Sequence, residues 1–414
     1  MKNTQKVQNL AGFRDFLPAE KRARDAVQAS VIKAFIRFGF EPIETPTLEY
    51  ASLLLGKYGD EADKLVYSFE DRGGRAVALR YDQTVPSARL LSQYQNELPR
   101  LFRRYQIQNV FRADKPQKGR YREFTQCDFD IFGSKDAIAD AEILACSYAA
   151  FKEVGFGKVE LRINDRQTLL SVLSPFATKT VDVFSIIQTV DKLDKKSQSE
   201  VIDELVGKGL ERSDAGEAIS NLQKTNLSEN LATIKSLAIS LGIPTDSIVF
   251  TPTLARGLDY YTGMIFEIVV PEYGSGSCGG GGRYDNLIGD LSGTTVPAVG
   301  VAFGFDRMVE AAKELGLLKT DKSTADVVVT VFSPELRQKS AEVARKLREL
   351  DCNVVLYPGV DSLGKQLKYA DQIGVKFAVI IGEDEAKSGM MTLKNLVSGE
   401  QKTVSVDDIP RACV

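Results

Sequence analysis

The chain has 414 residues, a formal net charge of −3 and no histidine. That length exceeds one ordinary core and points to roughly two or three domains. The near balance of charge excludes a global nucleic-acid-binding signature, and the missing histidine removes Ser-His-Asp and Cys-His mechanisms together with histidine metal ligands.

The polar N-terminus, MKNTQKVQNL, lacks the apolar centre of a signal peptide, and no apolar run approaches the roughly 18 to 20 residues of a membrane span. We therefore expect a cytosolic (cytoplasmic) protein with no membrane contact. The cysteines at 127, 146, 278, 352 and 413 include no Cys-x-x-Cys pair, so reduced thiols are expected rather than a zinc site or a disulfide framework.

In chain order, Lys21 to Phe38 reads as an amphipathic helix, with Val27, Val31, Ala34, Phe35 and Phe38 at helical spacing and Gly39 as its stop. Glu41 to Leu48 is extended and carries Pro42 and Pro46. Val77–Arg80, Arg104–Arg112 and Glu123–Phe132 alternate as strands around polar turns, and Asp136–Val154 is a second helix. From about Arg166 to Leu241 polar helical patterns take over, with helices predicted at Asp194–Gly207 and Glu211–Lys224; this is a small helical insertion, placed at about residues 166–245. Strands resume at Ile248–Thr251, Met264–Val270 and Ala298–Phe303, the last feeding a helix near Gly304. After a polar linker at Leu317–Thr324 the pattern becomes strand–helix–strand–helix–strand: Asp326–Phe332, Glu335–Leu350, Val354–Tyr357, Leu363–Ile373 and Phe377–Ile381. This alternation predicts a small α/β domain over 325–414 with a largely parallel sheet, following a first domain over 1–320.

Two local features carry chemistry. Arg100 to Arg122 holds eight basic residues (Arg100, Arg103, Arg104, Arg112, Lys115, Lys118, Arg120, Arg122) against Asp114 alone. Such a run is usually a solvated face, but here the arginines interrupt strand positions. The glycine-rich segment Gly274–Gly289 lacks the Gly-Lys-Ser/Thr ending of a phosphate loop; close approach of a ligand and tight backbone packing are both open readings.

Phe111-Arg112, Asp114, a basic turn and Glu123-Phe124 resemble motif 2 of class II aminoacyl-tRNA synthetases, and Gly304-Phe305-Asp306-Arg307 resembles motif 3. Leu79 to Thr84 resembles the amino-acid-binding stretch before motif 2. Arg256 to Gly263 (RGLDYYTG) and Gly281 to Asp285 (GGRYD) are similar to the two signatures of the histidine-specific family, and the likeness runs from Gly12-Phe13-Arg14-Asp15 to the C-terminal domain.

This resemblance implies a mixed α/β catalytic domain built on an antiparallel sheet with a helical insertion, a C-terminal α/β anticodon-binding domain, and a homodimer with motif 1 near Glu41–Glu49 at its interface. It implies ATP, L-histidine and tRNA(His) as partners and Mg²⁺ on the phosphates. Arg112 and Arg256 take the catalytic positions flanking the α-phosphate. Asp114, Arg120, Tyr121 and Arg307 join Arg112 in holding ATP; Asp114 and Asp306 stand where Glu is commoner. For histidine, Asp82 accepts from the imidazole N–H and Tyr261 donates to the other ring nitrogen. Gln126, Asp130 and Thr84 hold the α-amino group and orient the pocket, and Tyr260 and Tyr284 line it. In the last domain Lys365, Lys368 and Tyr369 face either the anticodon or solvent. The resemblance also leaves a catalytically silent regulatory subunit of ATP phosphoribosyltransferase, or a tRNA sensor, as rivals; intact Arg112, Arg256 and Arg307 and the C-terminal domain weigh against both.

Overall fold

The computed structural model describes residues 7–56, 64–117, 119–256, 260–274, 276–318 and 322–412. Lys118, Gly257, Leu258, Asp259 and Cys413, all named above, lie outside the described residues, as do residues 319–321 of the linker. Two compact units emerge, one of residues up to 16 and from 24 to 318, the other of residues 17–23 and from 319 onward.

The first unit is built on an eight-stranded sheet ordered β1-β5-β6-β11-β10-β9-β7-β8. Its strands are β1 (Glu41–Pro42), β5 (Phe102–Phe111), β6 (Glu123–Phe132), β7 (Glu160–Asp165), β8 (Ile248–Phe250), β9 (Met264–Val269), β10 (Ser277–Arg283) and β11 (Ala298–Gly304). Pairing is parallel only at the two edges, β1 with β5 and β7 with β8, and antiparallel throughout the middle. A separate antiparallel sheet joins β2 (Leu48–Tyr50), β4 (Ala76–Leu79) and β3 (Ser68–Glu70).

Alternation along β6 explains how the large sheet divides two environments. Cys127, Phe129 and Ile131 point into one core with Val27, Val31 and Phe35 of the helix Pro18–Arg37 and with the helix Ala137–Val154. Asp136 caps that second helix by accepting from Ile138 N, and Gly155 ends it in a left-handed conformation. Phe132 and Phe102, on the other face, belong to a second core shared with Leu169, Leu173, Ile186 and Ile219 of the inserted helices. That insertion, between β7 and β8, carries helices Arg166–Leu173, Val183–Val190, Gln198–Lys208, Arg212–Gln223 and Glu229–Ser240. The helix expected from Asp194 begins only at Gln198, because Ser197 and Glu200 form a capping box there.

The second unit holds β12 (Val327–Val329), β13 (Val354–Leu356), β14 (Phe377–Ile380), β15 (Met391–Asn395) and β16 (Gln401–Val404), ordered β13-β12-β14-β15-β16. Here the expectation of a largely parallel sheet is corrected: β13, β12 and β14 are parallel, whereas β15 and β16 add an antiparallel hairpin. Their short, mostly polar strands gave no buried-strand signal in the sequence. Among the described residues, no helix is long and apolar enough to cross a membrane.

Candidate active site

The site is assembled on the face of β5 and β6 that looks away from the first core. Their register sets Arg104 opposite Asp130, Gln106 opposite Asp128 and Gln108 opposite Gln126. Arg104 is fully buried and forms an ion pair with Asp130, whose other oxygen accepts from Tyr284 Oη at 2.5 Å. Asp130 in turn needs Gly300 beside it, since a Cβ there would fall 1.7 Å from Asp130 Oδ1.

Asp82 lies at the mouth of the helix Thr84–Gln93, buried, with its Oδ1 accepting from Val85 N at 3.2 Å. Thr84 opens that helix and is half-buried. Gln83 is fully buried and donates through Nε2 to Gln108 O at 2.9 Å and Gln126 O at 3.0 Å, fastening the segment across the β5–β6 pair. Arg80, read above only as part of the motif, is a structural tie: it donates to Asn109 O, Thr45 O and Gln108 Oε1.

Arg112 follows β5 and is half-buried. Its guanidinium lies 4.2 Å from the Tyr81 ring centroid and 5.2 Å from that of Phe124, and Nε donates to Tyr81 O at 3.1 Å. The turn beyond it is held internally. Arg120 pairs with Asp114 at 2.8 Å, Arg122 donates to Asp114 O, and Tyr121 Oη donates to Glu310 at 3.2 Å beneath the Arg14 guanidinium, 3.3 Å from its ring centroid. Asp306 accepts from Arg14 at 2.7 Å, Arg24 at 2.5 Å and Thr125 N at 3.0 Å, so it anchors the N-terminal segment and β6 to motif 3. Arg307, one residue on, is exposed and donates to Ser277 O at 2.8 Å.

Arg256 reaches the same sheet face from its β9–β10 half, where Gly280 and Glu267 lie in register with Asp128. It holds a left-handed backbone (φ 53°), its N–H donates to Asp191 Oδ1 at 2.8 Å, and Nη1 pairs with Glu267 of β9 at 3.0 Å. The guanidinium lies over Gly280 of β10, where a Cβ would come within 2.4 Å of Nη1. Close approach of a side chain accounts for Gly280 alone; at Gly281 and Gly282 neighbouring backbone leaves no room, since a Cβ would fall 2.0 Å from Gly300 O and 2.4 Å from Met264 O. Burial opposes the Arg256 cation, but Tyr261 and Glu267 outweigh it and raise the pKa above that of an ordinary arginine. Tyr260, Tyr261 and Tyr284 form a ring cluster, with Tyr260 centroids 4.8 Å from Tyr261 and 5.8 Å from Tyr284. Burial, then Tyr261 and Asp82, push the Tyr260 phenol well above its usual range. Arg283 instead is structural, paired at 2.5 Å with Asp140 and at 3.1 Å with Asp285.

These contacts and fields link the two arginines to one acidic pocket. Asp128 is shifted up strongly by burial, then pulled down by Arg104, raised by Asp130 and Asp82, and pulled down by Arg112. Burial also raises Asp130, against the pull of Arg104 and Tyr284. Asp128 and Glu267 were not singled out from sequence, and Arg104, Gln83 and Phe124 stood there only within a basic run or a motif, with no site role of their own. For Asp128 the signal was present, since it stands midway between Gln126 and Asp130 on one strand face.

An antiparallel sheet, a strand pair closed by a basic turn, and an arginine in the first turn of the helix after β11 together define a class II aminoacyl-tRNA synthetase catalytic domain. The histidyl-tRNA synthetase family model matches residues 12–308, and an anticodon binding domain model matches residues 326–414. A histidine–tRNA ligase of Wolinella succinogenes is 40% identical, covering 95% of this chain and 94% of that protein; one of Rhodopirellula baltica is 38% identical, covering 96% and 95%. The crystal structure of histidyl-tRNA synthetase from Nostoc sp. superposes with a TM-score of 0.83 at 30% identity, covering 99% of both chains. The chain belongs to the histidyl-tRNA synthetase family.

Proposed function

We propose that this chain attaches L-histidine to tRNA(His) through a histidyl-adenylate formed from ATP. The observation that carries the reading is a buried acidic and tyrosine-lined pocket (Asp82, Asp130, Tyr261, Tyr284) on the same sheet as two arginines, Arg112 stacked between Tyr81 and Phe124 beyond β5 and Arg256 over Gly280 of β10.

Neutral imidazole offers one donor and one acceptor nitrogen. Asp82 would accept from the first and Tyr261 donate to the second, while Gln126, Thr84 and Asp130 orient the α-amino end and Tyr260 and Tyr284 wall the ring. The substrate carboxylate then attacks the α-phosphorus of ATP, and pyrophosphate leaves. Arg112 and Arg256 neutralise the charge that builds on the phosphoryl oxygens; arginine suits this because it stays protonated and binds two oxygens at once. Asp114, Arg120 and Tyr121 in the motif 2 turn and Phe124 beneath it hold the nucleotide, and Arg307 meets its outer phosphates. The terminal ribose hydroxyl of tRNA then attacks the adenylate carbonyl and AMP leaves. The protein's work is positioning and charge stabilisation.

Among the described residues no group of three or more Asp, Glu or Cys is placed to hold a metal. That donor set fits Mg²⁺ carried mainly by ATP oxygens with few protein ligands, Glu267 being the acid beside Arg256. When bound, the ion neutralises phosphate charge. We place the reaction in the cytoplasm and assign the working form as a homodimer; exposed Leu48, Tyr50 and Phe69 on the small sheet next to motif 1 support a partner-covered face.

Histidine-dependent exchange of labelled pyrophosphate into ATP tests the first half-reaction. Exchange with histidine and with no other amino acid is expected; exchange driven equally by other amino acids contradicts the pocket assignment.

A further inference from the structure

Hydrogen bonds join the helical insertion to both ends of the segment 256–263. At the first end Asp191 Oδ1 accepts from Arg256 N at 2.8 Å. Asp191 closes the helix Val183–Val190, and its own N–H donates to Ile187 O and Thr189 O. At the other end Gln167 Nε2 donates to Thr262 O at 2.8 Å, and Arg166 N donates to Gly263 O at 2.9 Å. Gln167 stands in the first turn of the helix Arg166–Leu173, where its N–H donates to the capping Asp165 Oδ1 at 3.0 Å. The two helices share one core through Leu169, Leu173, Ile186 and Val190, so both holds belong to one packed frame.

Each hold falls where position matters. Arg256 has φ 53°, a left-handed backbone that a residue with a Cβ keeps only when its surroundings enforce it. With its N–H on Asp191 and Nη1 on Glu267 at 3.0 Å, the residue is fixed at its amide and at its tip, over Gly280. After burial, the groups that act on the Arg256 cation are Tyr261 and Glu267; Asp191 meets its amide instead. At the far end Thr262 N donates to Arg283 O at 2.8 Å and Thr262 Oγ1 accepts from Asp285 N at 3.1 Å, which ties the segment to the second signature. Directly before Thr262 stand Tyr260 and Tyr261, packed with Tyr284. Asp191 is half-buried and Gln167 exposed, so either can be replaced without emptying a core.

We propose that Asp191 and Gln167 are positioning residues for adenylate formation: Asp191 sets Arg256 against the phosphoryl group, and Gln167 sets the Tyr260 and Tyr261 end of the segment against the amino acid. The insertion thereby acts on the chemistry through the backbone of the segment 256–263. The inference rests on the histidine-activating function proposed above. Asp191 works as a hydrogen-bond acceptor, so a neutral side chain with an oxygen at the same reach serves and an aliphatic one does not.

The test is histidine-dependent pyrophosphate exchange at saturating ATP, together with single-turnover adenylate formation. Asp191→Ala should lower kcat and the single-turnover rate about ten- to a hundredfold while KM for histidine moves by no more than about twofold, the pattern of one lost charge-assisted hydrogen bond that held a reacting group in place. Asp191→Asn, which keeps an acceptor oxygen, should recover most of that rate. Gln167→Ala should instead raise KM for histidine about three- to tenfold, with kcat changed less. Variants that melt earlier but keep wild-type kcat and KM below their melting range overturn the inference, because the two residues would then be fold anchors only. Equal losses in Asp191→Asn and Asp191→Ala overturn it too, since an acceptor oxygen would not suffice. If Asp191→Ala does not fold, the exposed Gln167→Ala carries the test: a raised KM with little change in kcat supports the inference and an unchanged KM overturns it. The wild type separates the two levels. Wild-type exchange with unaltered constants in the variants rejects the positioning role alone, whereas a wild type without exchange rejects the histidine-activating function and the inference with it.

Discussion

Arg256 sits in a backbone conformation that non-glycine residues rarely adopt, held by Asp191 behind it and Glu267 beside it. Such preorganisation places charge before the reaction needs it. Arg256→Ala should slow single-turnover adenylate formation by about 10² to 10³ while histidine affinity changes far less. A binding loss with unchanged chemistry would show the arginine to be a ligand clamp instead. Asp128 gives a pH prediction. Its carboxyl is raised in the folded chain by burial first, so its contribution to stability is present at low pH and is lost as pH rises through the folded value. Replacing it by Asn removes that penalty. In melts of the ligand-free protein from the ordinary carboxylate range, about pH 4, up to about pH 9, Asp128→Asn should gain stability relative to wild type as pH rises; a difference independent of pH across that range contradicts the raised carboxyl. How far residues were legible in advance follows from their surroundings. Asp82, Gln126, Asp130, Tyr261 and Tyr284 stood inside motifs. Gln83 stood inside the Leu79–Thr84 motif without a role, and Asp128 stood between Gln126 and Asp130; only their burial and missing partners set them apart. Glu267 was hidden because its role comes from a neighbour on another strand-end loop, Arg256, eleven residues back.

Elements were legible where one periodicity held without interruption. Polar and apolar residues alternate from Gln126 to Ile131 within the strand Glu123–Phe132, and the predicted helix Asp136–Val154 runs from its Asp136 cap to Val154. The helix Thr84–Gln93 was not foreseen: Pro86 lies in its first turn, where proline is tolerated, but in sequence it reads as a break. The hairpin of β15 and β16 escaped for a different reason, since its strands are short and their burial alternates weakly or not at all. Between elements, Asp306 joins the N-terminal segment, β6 and the helix Phe305–Glu314 through Arg14, Arg24 and Thr125. Asp306→Ala leaves the poorly exposed Arg24 without its carboxylate, a change that typically costs about 3–5 kcal/mol. Urea unfolding should show a loss of that order. A loss below about 1 kcal/mol, the scale of a surface pair, would mean the three-way junction is not the fastening described here.

At the scale of the whole molecule the two units divide the proposed work. The first matches the histidyl-tRNA synthetase family model and carries the proposed adenylate site; the second matches an anticodon binding domain. A chain ending near Leu317 should keep histidine-dependent exchange and lose most tRNA charging, provided sizing shows that it keeps the wild-type oligomeric state. Undiminished charging by that shorter chain would remove the second unit from tRNA recognition. Sizing of the full chain should itself give twice the chain mass, and Leu48→Lys with Tyr50→Lys should lower it; a monomer in the wild type contradicts the proposed covered face. The most direct measurement is transfer of labelled histidine to tRNA(His) by the full chain in the presence of ATP and Mg²⁺. The account predicts acid-precipitable histidyl-tRNA that requires ATP and is lost in Arg112→Ala. Adenylate formation without any transfer, or transfer that persists at the wild-type rate in Arg112→Ala, would contradict it.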